Sequence, residues 1–367
     1  MTSYRVSPEL ILDIADHCDQ ETLRALMQTS KDIKALISGN ERSIAAAKLK
    51  TFLLPPLGQI LSSQDEVRCR ITGKHSFATV QEMELRERRM VSILDNSGFL
   101  LTDNVKTMGL TDDSLRRLKA GLKRSLYMID RLADLETQAK VQQVQKEVAR
   151  RLSSVQDPGD GVTDAVDEND VDKIGAFDEA VMLQHDAEIE AQHSAFMVHR
   201  SLQFEMIHEM ATLDLAWLLT LGEGAMKGCI RYYERYFESD PVGTQYKVMA
   251  FKEELLRKGS FILWAFVRSV GSMHAFAKAC IRQTGDEIML YEFGQHTNRG
   301  LSSTLHQEMR QRVLAELQKT YPLFVDDEDQ EELGPAKVMV EAHRLIREEI
   351  GWDGWGGYGS IVYPPVE

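Results

Sequence analysis

Cysteine and proline are scarce in this chain. Its 367 residues include four cysteines, Cys18, Cys69, Cys229 and Cys280, and nine prolines. The cysteines lie far apart and form no CxxC pair, which excludes a disulfide framework or a thiolate zinc site of ordinary spacing. Free thiols suit a reducing compartment. Few prolines among many Leu, Ala, Glu, Lys, Arg and Met favour helix. No useful stretch alternates apolar and polar residues, and no repeat of fixed period recurs, so propellers and leucine-rich solenoids are excluded. The most apolar run, Phe261 to Val267, is too short to span a bilayer and is followed by Arg268. Met1 to Arg5 lacks the apolar core of a signal peptide. An intracellular protein, cytoplasmic or nuclear, with no membrane partner is expected. No basic stripe with interleaved aromatics occurs, so no nucleic-acid partner is expected. There is no G-x-S-x-G, no H-E-x-x-H and no P-loop. No catalytic residue, metal or cofactor is therefore assigned, and an enzyme is not expected.

What is present is a helical chain with 43% hydrophobic and 27% charged residues. The net charge of −14 is concentrated in two places. Residues 155–173 hold seven acids and one lysine, and residues 322–334 hold six acids and no base. Each stretch has a net charge of −6, so together they carry −12 of the −14. Both read as solvated loops, and the remainder is nearly neutral. Pro158-Gly159-Asp160-Gly161 is a strong turn signal inside the first of them.

Helical periodicity dominates elsewhere. Ser43 to Leu54 reads as a helix stopped by Pro55-Pro56, and Val80 to Leu94 as another. Gly98 to Leu110 reads as a connection. Thr111-Asp112-Asp113 opens a long helix with a stripe from Leu115 to Leu152, weakening near Thr137-Gln138, where a break is expected. Asp178 to Leu221 reads as a second long helix, interrupted by Gly222, Gly224 and Gly228. Cys229 to Phe237, Gln245 to Arg257, Phe261 to Arg282, Ser302 to Thr320 and Gly334 to Ile350 complete the set.

The N-terminal fifty residues are the most informative. Ser7 is a good N-cap, Pro8 suits the first helical position, and Glu9 complements the dipole. Leu10, Ile11 and Ile14 follow at helical spacing. Asp19 can cap a second short helix carrying Leu23, Leu26 and Met27. Thr29 or Ser30 can cap a third carrying Ile33, Leu36 and Ile37. So small a unit cannot build a large core and must lean on a partner or on the rest of the chain.

This segment resembles an F-box. Val6-Ser7-Pro8-Glu9 stands where the family has Leu-Pro-x-Glu, Cys18-Asp19 where it has Leu-Asp, and Thr29-Ser30-Lys31 where it has Val-Cys-Lys/Arg. The resemblance implies docking on a Skp-family adaptor and, through it, on a cullin-RING ubiquitin ligase, with the rest of the chain presenting an unknown protein substrate. It places Val6, Pro8, Leu10, Ile11, Ile14, Leu23 and Ile33 in the module's own core or in the adaptor contact. The alternative is a helical interaction protein outside any ligase, with these helices packed permanently on the body.

Other patterns carry residue types with catalytic or binding chemistry. Glu190-Ala191-Gln192-His193 and Glu205-Met206-Ile207-His208 are both Glu-x-x-His, the motif of carboxylate-bridged di-iron bundles. Here they lie fifteen residues apart on one expected helix, so at about 1.5 Å per residue their ligands sit ~22 Å apart and cannot share a metal pair. Gly222 to Gly228 is glycine-rich but misses the dinucleotide spacing and follows a helix, so a helix stop is expected. Gly351 to Gly359 intersperses Trp352, Trp355 and Tyr358 with glycine. These rings either dock on the body, which is expected, or bind a partner.

The expected architecture is all-α. An F-box-like module of three helices spans 1–50, helical regions span 51–153 and 176–350 and form one larger irregular domain with long helices, an acidic linker or loop occupies 154–175, and a glycine-aromatic tail occupies 351–367.

Overall fold

In a computed structural model, residues 7–62, 70–95, 110–155, 201–232, 241–268, 272–293, 304–320 and 330–352 are described. The chain is all-α, apart from a two-residue antiparallel ribbon. Thirteen helices occur among the described residues: α1 (Pro8–His17), α2 (Gln20–Thr29), α3 (Lys31–Gly39), α4 (Glu41–Leu49), α5 (Phe77–Asp95), α6 (Asp112–Val155), α7 (residues 201–209), α8 (Thr212–Tyr232), α9 (Pro241–Lys258), α10 (Ser260–Arg268), α11 (Ser272–Phe293), α12 (Leu305–Thr320) and α13 (Gln330–Ile350). The ribbon joins β1 (Leu61–Ser62) to β2 (Arg70–Ile71), pairing Leu61 with Ile71. None of the described helices is long and apolar enough to cross a membrane.

The main core is one continuous cluster to which α4–α13 all contribute. Leu118, Leu122, Leu126, Ile129 and Leu132 form the buried stripe of α6. α6 packs on α8 and α9, and the same core takes in Leu215, Leu218 and Leu219 of α8 and Ala250 and Phe251 of α9. Phe251 and Phe266 pack edge to face with centroids 5.5 Å apart. A Cβ at Gly121 would lie 2.3 Å from the indole of Trp217, so α6 meets α8 at a point where only glycine fits.

Several helix limits differ from the sequence reading. The helix opened by Thr111, whose hydroxyl accepts from Ser114 N at 3.1 Å, runs unbroken for 44 residues through Thr137-Gln138. It contains no proline, and a weakened stripe alone does not unwind a helix. The second long helix does break, but at Met210-Ala211 rather than at the glycines. Gly222, Gly224 and Gly228 all lie inside α8 and do not form the expected stop. Each glycine costs about 1 kcal/mol of helix propensity, and burial of Leu218, Leu219, Leu221 and Ala225 outweighs that cost. Where one helix is expected from Phe261 to Arg282, two are described, α10 ending at Arg268 and α11 starting at Ser272. Residues 154–155 close α6; the rest of the acidic stretch, with residues 178–200 and the tail beyond Trp352, lies outside the described residues.

Charge is also buried. Arg86 forms a two-pronged pair with Asp134 at 2.9 and 2.7 Å, and Glu82 accepts from Arg89 at 2.6 Å. The Arg89 guanidinium also sits 5.8 Å from the centre of the Phe261 ring. Farther along, Glu253 Oε2 accepts from Leu305 N at 2.9 Å and so caps the start of α12. Burial and the nearby Lys227 push His343 on α13 down to about 4, with Arg347 acting in the same direction and Glu223 against it. The unfolded chain therefore binds one more proton than the folded chain between that value and the ordinary 6.5. Stability from this residue is present above pH ~6.5 and is lost as pH falls toward 4, by about 3 kcal/mol at most. The stability difference between wild type and His343→Gln, followed by urea unfolding from pH 7 to pH 4, is expected to narrow by that order. A difference independent of pH would refute the assignment.

Candidate functional site

The first three helices are set by their caps. Ser7 adopts an extended conformation, φ −66° and ψ 145°, and its hydroxyl accepts from Leu10 N at 3.3 Å. Pro8 occupies the first turn, where its missing N–H leaves nothing unpaired. Asp19 accepts from Thr22 N at 2.7 Å, and these hydrogen bonds hold its carboxyl below the usual range. Of the two candidates for the third cap, Ser30 takes it, accepting from Asp32 N at 3.2 Å, while the Thr29 hydroxyl donates to Leu26 O.

These helices enclose a small second core. Ala15, Leu23, Ile37 and Ile44 are buried in it, and Ile11, Leu12, Cys18, Leu26, Met27 and Ile33 are partly buried around it. Ile44 belongs to α4, so a fourth helix closes a core for which three were expected. Lys48, also on α4, is buried and reaches back to the end of α1, donating to Asp16 O at 3.2 Å and to Cys18 O. The Lys48 ammonium thereby satisfies carbonyls that the end of α1 leaves open.

The residues singled out from sequence separate clearly by exposure. Leu23 is fully buried and serves the module's own core. Ile11 and Ile33 are half-buried against the same core. Pro8 is exposed, and Leu10 and Ile14 are 51% and 44% exposed. Leu10 and Ile14 lie one helical turn apart and form a single apolar strip on α1. Around them Glu9, Asp13 and His17 are exposed, with His17 Nδ1 held 2.8 Å from Asp13 O. Val6 lies outside the described residues.

The module is fastened to α5. Phe77 packs against both cores. Its N–H donates to Glu41 Oε1 at 2.8 Å, Gln20 N donates to Glu84 Oε1 at 3.2 Å, and Arg24 donates to Gln81. Burial raises the Glu84 carboxyl, against the Gln20 hydrogen bond. Lys48, Gln81 and Glu84 were not recognised from sequence. Polar and charged residues on a helix ordinarily read as its solvated side, and only packing between helices covers Lys48 and partly covers Gln81 and Glu84.

The remaining candidates are separated. His208 pairs with Glu308 of α12 at 2.9 Å and is 56% exposed. Its Glu-x-x-His partner motif, Glu190 to His193, lies outside the described residues, among which no cluster of His, Cys, Asp or Glu could hold a metal. Cys18 is half-buried, with Sγ 3.6 Å from Ala15 O and its thiol raised by burial, while His17 beside it is exposed. Trp352 packs against the main core, and its backbone N–H donates to Arg347 O at 2.9 Å. Trp355 and Tyr358 lie outside the described residues.

Compared with family models, with curated proteins and with solved structures, the chain matches none.

Proposed function

We propose that the chain is an F-box-like substrate receptor that docks through α1 on a Skp-family adaptor, and through it on a cullin-RING ligase. The observation that carries this reading is the exposed Leu10–Ile14 strip. The module's core is already closed by Ala15, Leu23, Ile37 and Ile44, so these two side chains have no internal role. Two large apolar residues left in water on a well-capped helix suit a partner's groove. In this reading the helical body presents a protein substrate, and the chemistry belongs to other subunits. No residue of this chain is assigned a catalytic role.

A second reading has its own support. The hydrogen bonds of Gln20, Arg24 and Glu41 to α5 and its first residue, with Phe77 between the two cores, would serve equally in an interaction protein outside any ligase. The two readings differ at the strip. Under the first, purified chain binds a Skp-family adaptor, and Leu10→Asp with Ile14→Asp weakens binding by at least about a hundredfold. Helix content and melting temperature should stay unchanged, because both side chains face solvent. Adaptor binding at full strength by the double variant, or none by the wild type, would leave the second reading standing.

A further inference from the structure

The module carries a second feature besides the strip on α1. Where α3 gives way to α4, an open groove of about 490 Å³ is lined by Gly39, Asn40, Arg42, Ser43, Ala46 and His75. Gly39 ends α3, and Asn40 links the two helices. Arg42, Ser43 and Ala46 belong to α4, and His75 stands on the segment that leads into α5. The lining thus comes from three stretches of chain, and neither Leu10 nor Ile14 takes part in it. Small-molecule sites span roughly 300–1,000 Å³, and the groove falls within that range.

The lining is rich in groups that donate to an anion. Arg42 and Ser43 are exposed, and neither side chain makes an ion pair or a hydrogen bond among the described residues. His75 Nδ1 is shielded from water and has no hydrogen-bond partner. Buried polar atoms without partners are rare and ask for an explanation. α4 also begins without a side-chain cap, because the Asn40 amide turns back and donates to Leu36 O at 2.9 Å. The positive end of the helix dipole therefore lies on the same groove. No carboxylate lines it. Glu41, the first residue of α4, is instead engaged by the Phe77 N–H at 2.8 Å. Lys74, next to His75 in the chain, is exposed and adds a further positive charge.

We propose that this groove binds a phosphate group, with the Arg42 guanidinium as its charged fork and the Ser43 hydroxyl, the His75 ring and the start of α4 as further donors. A guanidinium gives phosphate two parallel N–H bonds. The three acceptor oxygens of a phosphate leave others for the hydroxyl and the imidazole. A carboxylate, with two oxygens and one charge, would leave part of the lining unpaired. The groove exceeds what a lone phosphate ion needs, so it has room for the organic part of a phosphate ester. The proposal does not depend on the reading of α1.

The test uses the full chain with inorganic phosphate as the probe, against chloride at equal ionic strength and constant pH. In NMR spectra, phosphate should shift the backbone amides of residues 39–46 and the ring of His75 saturably, and chloride should not. Arg42→Gln should weaken binding at least about tenfold, the loss expected for a hydrogen bond to a charged group. Gly39→Glu should abolish it, by placing a carboxylate in the groove. A Cβ at Gly39 meets nothing within 4 Å, so this variant keeps the fold and the melting temperature of the wild type. An equal effect of chloride, shifts that fall outside the groove, or wild-type affinity in both variants would overturn the proposal. Should either variant fail to fold, the wild-type shift map decides alone. Glycerol 3-phosphate serves as a second probe. Tighter binding than phosphate identifies an ester as the source of the group, weaker binding a free anion, and both results uphold the site.

Discussion

Replacing Arg86 with methionine is expected to cost about 3–5 kcal/mol of stability, read from urea unfolding at pH 8. The side chains of Arg86 and Asp134 are 9% and 4% exposed, so the pair is held away from water. Glu82 keeps Arg89 at 2.6 Å when Arg86 is removed, but no other cation pairs with Asp134 among the described residues. Burial already pushes Asp134 up to about 6, even with Arg86 against it. Without the guanidinium the carboxyl is driven higher still and takes up a proton in the folded state. The folded variant then binds more protons than the unfolded chain through the neutral range, so its stability falls as pH rises. The loss should accordingly be smaller at pH 5 than at pH 8. A second change, Asp134→Leu, should restore most of the stability, because an apolar pair of similar volume avoids the desolvation penalty. A single variant that unfolds within 1 kcal/mol of wild type at pH 8 would show that the pair does not carry the junction of α5 and α6.

The same pair shows where sequence reasoning stops. Glu82, Arg86 and Arg89 look like the solvated side of a helix, and nothing local distinguishes them from the truly exposed Arg88. Their burial follows from α6 and α10 closing over α5, a long-range event. Local chemistry was far more legible. Ser7, Pro8 and Asp19 each stand at the helix start their side chains favour, and the α9–α10 boundary falls at Gly259, between two expected helices. Periodicity misled where its signal had two causes. The stripe of α6 fades near Thr137-Gln138 without the helix ending, and the glycines of α8 are absorbed by burial. At the candidate site, spacing placed Leu10, Ile11, Ile14 and Leu23 on apolar faces but could not divide core from surface. That division required α4, whose Ile44 and Lys48 close the module from a helix that the pattern did not assign to it.

The corner at Gly259 leads to the other large effect. Gly259 has φ +68°, a left-handed conformation that costs other residues about 1–2 kcal/mol. Its N–H donates to Leu255 O at 3.1 Å and closes the end of α9. A Cβ there would stand 2.3 Å from Asp130 Oδ1 and 3.1 Å from the Asp130 Cα. The side chain cannot simply swing away, because Asp130 accepts from Ser260 N at 2.6 Å and from Ser260 Oγ at 3.0 Å. These bonds pin the start of α10 to α6, and losing a buried charged hydrogen bond costs about 1.5–3 kcal/mol. Gly259→Ala should therefore destabilise by about 3–4 kcal/mol, strain and lost cap together. In a double-mutant cycle with Asp130→Ala, the two effects should fall short of additive, since both variants remove the same cap. Full additivity would mean that the methyl group and the carboxylate do not meet. The consequence reaches the module as well. α10 packs on α5, and α5 carries Phe77, Gln81 and Glu84, to which the module is fastened. Gly259→Ala should thus raise hydrogen exchange in α10 and α5 first, while the caps of α1 and its exposed strip, built from local contacts, keep their geometry until the main core opens.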